Sequence, residues 1–375
     1  MIKQLDLSKH YALLNDRIMQ RLRQVFETQQ FVLGNYVNEF EKASESYLGV
    51  KHAIGVASGS DAIYLALMAI GIGKGDSVIT TPFTFFATAS QIVRLNAVPV
   101  FVDIDPVTFN ISIDAVEAAL KKHKNVKAIL PVHLYGRSAD MQGIMKLAKK
   151  YRVCVIEDAA QAFGARVSYD NGYRKAGAIG DIGCFSFYPT KNLGGAGDGG
   201  MVVTNNDKSA DLLKMLRVHG SAQRYVHKYF GINSRLDAIQ AVVLSIKIEF
   251  IEQWNHARIE IAKHYNEKFI SEGCGEAVGL PEMSDDHTHV FHQYTIRIKD
   301  RDKVREELLK MGIGTEVYYP IPLHQQPAFK YLGYKKGSFK EAELAAKEVL
   351  SLPLYPELTE EDQLEVVRKI KSILC

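Results

Sequence analysis

Residues 181–200, DIGCFSFYPTKNLGGAGDGG, constrain this chain more than any other stretch. The apolar run 182–187 reads as a buried strand, which passes through Tyr188 and Pro189 into Thr190, Lys191 and a glycine-rich turn before Met201 resumes a strand. One lysine is thereby expected at the mouth of a sheet. A lysine on a rigid strand end, partly desolvated, sheds its proton and can attack a carbonyl. Taken alone it reads equally well as a solvated loop residue.

The chain before this stretch alternates. Helical periodicity over 16–46 breaks near 31–35, where FVLGN supplies a turn. Strands are expected over 53–58, 77–80, 98–102, 128–132 and 153–157, with helices over 62–70, 86–95, 113–122 and 141–151. Such units build a mostly parallel sheet, here of six or seven strands, that takes its ligands at the carboxyl ends. Ser58 to Ser60, His133, Asp158 to Gln161 and Lys191 all fall at such ends, so four separate stretches converge on one edge. Gly59 and Ser60 open a helix, which makes either a plain N-cap or an anion site. Phe83, Phe85 and Phe86 share one loop, where an aromatic either stacks on a flat heterocycle or joins the core. Asp158 is either a helix cap or a buried carboxylate with a cationic partner.

A chain of 375 residues exceeds the usual single-core size. A large α/β domain is expected over 1–245 and a smaller α+β domain over 246–375. A helix from Leu236 joins them. The second domain shows a strand in HVFHQYTIRIK, a helix over 303–311, another strand over 315–319 and a terminal helix over 360–374. With 47% hydrophobic residues, 24% charged residues and a net charge of +3, neither disorder nor a nucleic-acid or membrane partner is indicated. No signal peptide or membrane span is evident, so a cytoplasmic protein is expected. The four cysteines lack metal-ligand spacing and read as reduced thiols, with no metal site.

An amine, a carboxylate, an anion cradle and an aromatic surface together match the needs of pyridoxal phosphate: Lys191 for its aldehyde, Asp158 for its ring nitrogen, Gly59 and Ser60 for its phosphate, Phe85 for its ring. With these residues in place the sequence resembles the DegT/DnrJ/EryC1/StrS family of nucleotide-sugar aminotransferases, of the aspartate aminotransferase type I fold. The resemblance spans nearly the whole chain, through ASGSDAIYLAL, ITTPFTFFATA, PVFVDIDPVTFN, PVHLYG, EDAAQAFGA, SFYPTKNLGGAGDGGMV, GINSRLDAIQA and YYPIPLHQQPAF.

The resemblance implies that Lys191 forms the Schiff base and later moves protons at the substrate carbon. Asp158 would pair with the pyridine nitrogen, Gln161 would lie near the phenolic oxygen, and Phe85 would stack on the ring. Gly59, Ser60 and Ser186 would hold the phosphate with Asn233 of a neighbouring subunit, so a homodimer with shared sites is implied. Tyr188, Arg235 and His324 are implied to face a nucleotide sugar, although Arg235 reads equally as an ion-pair residue and Tyr188 as a packing one. Family members that dehydrate carry histidine in place of the lysine, so Lys191 indicates amino transfer, usually from L-glutamate. The turn resembles that of members acting on 3-keto rather than 4-keto sugars, and Asp198 stands where the family often has glutamate. Two other classes fit less well: a dinucleotide-dependent dehydrogenase, whose G-x-G-x-x-G placement GGAGDGG lacks, and a cofactor-binding regulator without turnover, for which no basic DNA-binding helix is present.

Overall fold

The computed structural model describes residues 1–170, 172–283 and 289–374; Cys375 lies outside them. The strands β1 (His52–Val56), β2 (Ser77–Thr80), β3 (Val98–Phe101), β4 (Val126–Ile129) and β5 (Cys154–Asp158) come in turn. A hairpin of β6 (Arg166–Tyr169) and β7 (Gly172–Lys175) stands apart, and β8 (Ile182–Ser186) and β9 (Gly200–Thr204) return to the sheet. The seven-stranded order is β1-β9-β8-β5-β4-β2-β3. β9 runs antiparallel to both neighbours, and the other pairings are parallel. All strands but β9 therefore end on the same edge, and β9 begins there.

Burial explains why the centre of this sheet was legible. Every residue of β9 and the first four of β8 are buried, as expected for strands covered by helices on both faces. The helix Gly59–Ala69 is the innermost cover and is correspondingly apolar, burying Ala62, Ile63, Leu65, Ala66 and Leu67.

Beyond the sheet, β10 (Ser221–Gln223) and β11 (Val226–His227) form a small exposed hairpin. The helix Ala238–Lys247 passes through the 3-10 turn Ile248–Phe250 into Ile251–Ser271, so the expected boundary at 245 falls inside a helix. β12 (Tyr294–Arg297) pairs antiparallel with β13 (Val349–Leu352). This corrects the expected strand over 315–319. That segment does alternate buried and exposed residues, but it touches β13 only through one bridge, Glu316 to Ser351. Val349–Leu352 is buried throughout and takes the central place. The chain start belongs with this part of the molecule: Ile2 donates to the Gly312 carbonyl at 2.9 Å and accepts from Gly314 at 2.8 Å.

One apolar cluster runs from these C-terminal elements to Phe83, Phe101, Phe109 and Tyr135 behind the edge of the sheet. The loops that follow β2, β3 and β4 are thus backed by packed side chains, which fixes the floor of the site. No helix among the described residues is long and apolar enough to cross a membrane.

Candidate active site

The anion cradle forms where β1 turns into the helix Gly59–Ala69. Ser58 has extended backbone, and its Oγ accepts the Asp61 N–H at 3.1 Å. Because Ser58 is the cap, the N–H groups of Gly59 and Ser60 have no hydrogen-bond partner among the described residues. Gly59 lies against Ser186 at the end of β8: a Cβ on it would sit 2.6 Å from the Ser186 Cβ. Only glycine permits that approach. Two free amides beside a serine, at the positive end of a helix, suit a phosphate.

Asp158 ends β5 and is 4% exposed. Its Oδ2 accepts the Thr88 hydroxyl at 2.8 Å and its Oδ1 the Ala160 N–H at 3.2 Å. Burial pushes the carboxyl up from its ordinary value, while the bonds from Thr88 and Ala160 and the Lys191 ammonium pull the other way.

Lys191 follows β8, and its backbone N–H closes a turn on the Tyr188 carbonyl at 2.8 Å. Burial lowers its ammonium to about 8 against the attraction of Asp158. Its Nζ makes no hydrogen bond or ion pair among the described residues, and with that value roughly a tenth is neutral amine at pH 7, far more than for an ordinary lysine.

The Gln161 amide spans two loops: Oε1 accepts the Tyr135 N–H at 2.8 Å, and Nε2 donates to the Tyr319 hydroxyl at 3.1 Å. One Nε2 hydrogen is left over. Of the three loop aromatics, Phe83 is core and Phe86 leans on Phe329 at 5.3 Å between centroids. Phe85 keeps an open face, 58% exposed, with its ring 6.1 Å from Tyr319. Thr88 lies three residues on, on the same side of the helix Phe86–Arg94.

Tyr188 is exposed, and Arg235 is half-buried without a hydrogen bond or ion pair among the described residues. Asn233 is exposed and its backbone bridges Val218; the next residue, Ser234, accepts the Ala57 N–H at 3.1 Å.

One expectation is corrected and one residue is placed as expected but turned away from the site. His324 does not open on the cavity: its side chain is wholly buried, shares a 3.1 Å hydrogen bond with Glu343 and packs edge-on against Phe339. His133 reaches the correct edge but turns inward. Its Nδ1 accepts the Ala139 N–H at 3.1 Å, so the proton is on Nε2, which donates to Glu157 at 2.9 Å. Glu157, wholly buried, also takes the N–H groups of Gly177 (2.8 Å), Ile179 (2.8 Å) and Gly180 (2.6 Å). This lock lies directly before Asp158 in the strand.

Several residues about the site were not anticipated: Thr88 on Asp158, Tyr319 on Gln161, and Asn192. The Asn192 amide donates to Asn255 Oδ1 at 2.8 Å and the Val290 carbonyl at 3.1 Å and accepts from His292 Nδ1 at 3.2 Å. Only Thr88 carried a sequence signal, its spacing from Phe85 in FTFFATA. Among the described residues no His, Cys, Asp and Glu cluster suits a metal.

An unpartnered, half-buried amine, a buried carboxylate close enough to attract it and free amides at a helix start fit pyridoxal phosphate: Lys191 for the aldehyde, Asp158 for the ring nitrogen, and Gly59, Ser60 and Ser186 for the phosphate.

Comparison with known proteins agrees. The model of the DegT/DnrJ/EryC1/StrS aminotransferase family matches residues 13–371. A pleiotropic regulatory protein of Geobacillus stearothermophilus is 51% identical over 98% of this chain and 97% of its own. A UDP-N-acetyl-3-dehydro-alpha-D-glucosamine 3-aminotransferase of Acidithiobacillus ferrooxidans is 44% identical over 100% of this chain and 98% of its own. Among solved structures, S. venezuelae DesV in complex with a ketimine intermediate superposes with a TM-score of 0.93 at 38% identity, covering 99% of this chain and 98% of that one. The fold is that of the pyridoxal-phosphate aminotransferases, and the chain belongs to the DegT/DnrJ/EryC1/StrS aminotransferase family.

Proposed function

We propose that this protein moves the amino group of an amino acid, L-glutamate in the first instance, to the 3-keto group of a hexose linked to a nucleoside diphosphate, as a cytoplasmic homodimer. The observation that carries the reading is Lys191, half-buried, unpartnered and lowered to about 8, near a buried Asp158. The activity of the Acidithiobacillus relative supports the choice of a 3-keto sugar. When bound, pyridoxal phosphate supplies an aldehyde for the amine and a ring that spreads negative charge from the reacting carbon.

The protein's own part is placement and proton handling. Lys191, released as a neutral amine, takes a proton from the substrate carbon and returns it one step later. Asp158 remains ionised against a cation and so keeps a proton on the ring nitrogen. Gly59, Ser60 and Ser186 bind the phosphate and Asn233 of a second copy completes that cradle, Phe85 covers the ring, and Gln161 donates to the phenolic oxygen. Tyr188 and Arg235 face the nucleotide sugar, the guanidinium meeting its diphosphate. A regulator that binds the cofactor would need the same lysine; the sugar aminotransferases among the relatives, such as those of Acidithiobacillus ferrooxidans and Streptomyces venezuelae, favour an enzyme over the role named for the Geobacillus relative.

The test is product analysis by mass spectrometry, with L-glutamate and a panel of nucleotide 3-keto hexose, nucleotide 4-keto hexose and free 3-keto hexose. Amination of the nucleotide 3-keto sugar alone is expected, because the nucleotide supplies most of the binding. Turnover restricted to the 4-keto isomer, or equal use of free sugar, overturns the substrate assignment and leaves the amino transfer standing.

A further inference from the structure

Three consecutive residues of the turn after Lys191 are gripped by side chains from two helices. Lys247, the last residue of the helix Ala238–Lys247, donates from Nζ to the Gly194 carbonyl at 2.5 Å. Tyr11, in the helix Ser8–Thr28, donates its hydroxyl to the Gly195 carbonyl at 3.0 Å. Gln240 Oε1 accepts the Ala196 N–H at 2.7 Å. The turn has little freedom to settle elsewhere, since a Cβ at Gly194 would lie 2.3 Å from the Pro189 carbonyl oxygen.

Lys247 is unusual for a helix residue. It is 2% exposed and has no carboxylate partner among the described residues. Its ammonium lies 4.7 Å from the centre of the Tyr11 ring and 5.9 Å from that of Trp254. An isolated buried cation is costly; two aromatic faces and one carbonyl are what offset the cost here. Burial, with Arg258 nearby, lowers its pKa to about 8, so it is mostly charged at neutral pH. Methionine would fill the same space without a charge to bury. What methionine cannot do is satisfy the Gly194 carbonyl. Lys247 also stands where the chain leaves the large sheet, since the 3-10 turn Ile248–Phe250 and the helix Ile251–Ser271 follow directly.

We propose that Lys247 is a positioning residue that acts through Gly194: by fixing the height of the turn, it holds the Lys191 amine in place against Asp158. It rests on Lys191 being the amine that binds the cofactor. The test is Lys247→Met, read three ways: amide hydrogen exchange over residues 188–200 in the cofactor-free chain, the pH titration of visible absorbance in the loaded enzyme, and kcat and KM separately.

The expected result is exchange in the turn faster by about tenfold or more with the central strands unchanged, a displaced titration midpoint, and kcat lower by roughly 10- to 100-fold with KM for the nucleotide sugar within about twofold. Tyr11→Phe, which keeps the ring over Lys247 and removes only the bond to Gly195, shows the same pattern at smaller size and serves if the methionine variant does not fold. Unchanged exchange in the turn together with an unchanged titration overturns the proposal, whatever happens to thermal stability. The exchange measurement needs no cofactor, so an error in the role of Lys191 would show as a missing titration in the unaltered enzyme while the exchange result stood.

Discussion

Glu157→Gln is nearly isosteric, yet it should be among the more damaging single substitutions in the large sheet. Each Glu157 oxygen takes two donors: Oε2 those of His133 and Gly177, Oε1 those of Ile179 and Gly180. An amide must place its NH2 at one of these positions, where it faces two N–H groups. On the Oε1 side both are backbone and cannot reverse. On the Oε2 side His133 could accept only by moving its proton to Nδ1, which already accepts from Ala139. Two charge-assisted hydrogen bonds are therefore lost, at about 1.5–3 kcal/mol each, or roughly 3–6 kcal/mol. The assay is urea unfolding of the cofactor-free protein at neutral pH. Burial alone would raise the Glu157 carboxyl, but His133 and the backbone amides outweigh it and hold it below the ordinary glutamate value. A carboxylate depressed in the folded state contributes stability that is full above its unfolded pKa and is lost as pH falls through the folded value. The difference between wild type and Glu157→Gln should therefore shrink as acid is added. A loss under about 1 kcal/mol at neutral pH, or a difference that grows on acidification, would refute this reasoning.

Asp158→Asn should still bind pyridoxal phosphate but lower kcat by orders of magnitude, since the amide cannot keep the ring nitrogen protonated; steady-state kinetics with L-glutamate check it, and a near-normal rate counts against the role. Gly59→Ala forces a Cβ to 2.6 Å from that of Ser186, so a loss of about 1–3 kcal/mol in stability and weaker retention of the cofactor on gel filtration are expected. Mixing inactive Asn233→Ala and Lys191→Ala chains should restore activity if sites are shared, because one site of each heterodimer is then intact; no recovery from proven heterodimers places Asn233 elsewhere.

The central sheet was legible because its strands are buried on both faces and read as short apolar runs between helices of clear period. The C-terminal part was less so. Thr315 and Val317 are buried and Glu316 is exposed, so the alternation there was real, but alternation does not say whether a neighbour lies alongside for more than one residue. The strand Val349–Leu352 was hidden because it continues without a break from the helix Lys340–Glu348. At the site, Lys191, Asp158 and Gly59 were singled out by their positions at strand ends and helix starts, which the chain order fixes, while Ser186 entered only through the family resemblance. His324, brought toward the substrate by the resemblance, is instead held by Glu343, 19 residues later in the chain, and no local pattern marks a buried histidine as already engaged. Lys247 was invisible for the same reason. In sequence it is a lysine at a helix end, and only the packing of Tyr11 and Gly194 against it shows otherwise.

Lys191, half-buried, and Lys247, buried, are both lowered to about 8, and they differ in that Lys247 is engaged with a carbonyl and two rings while Lys191 has no hydrogen-bond or ion-pair partner among the described residues. Borohydride reduction of the pyridoxal-phosphate-loaded protein, followed by digestion and mass spectrometry, separates them. The cofactor mass should appear on the peptide containing Lys191 and should be much reduced when L-glutamate is added before the borohydride; label on the Lys247 peptide, or label that L-glutamate does not diminish, would contradict the assignment of Lys191 as the amine that carries the reaction.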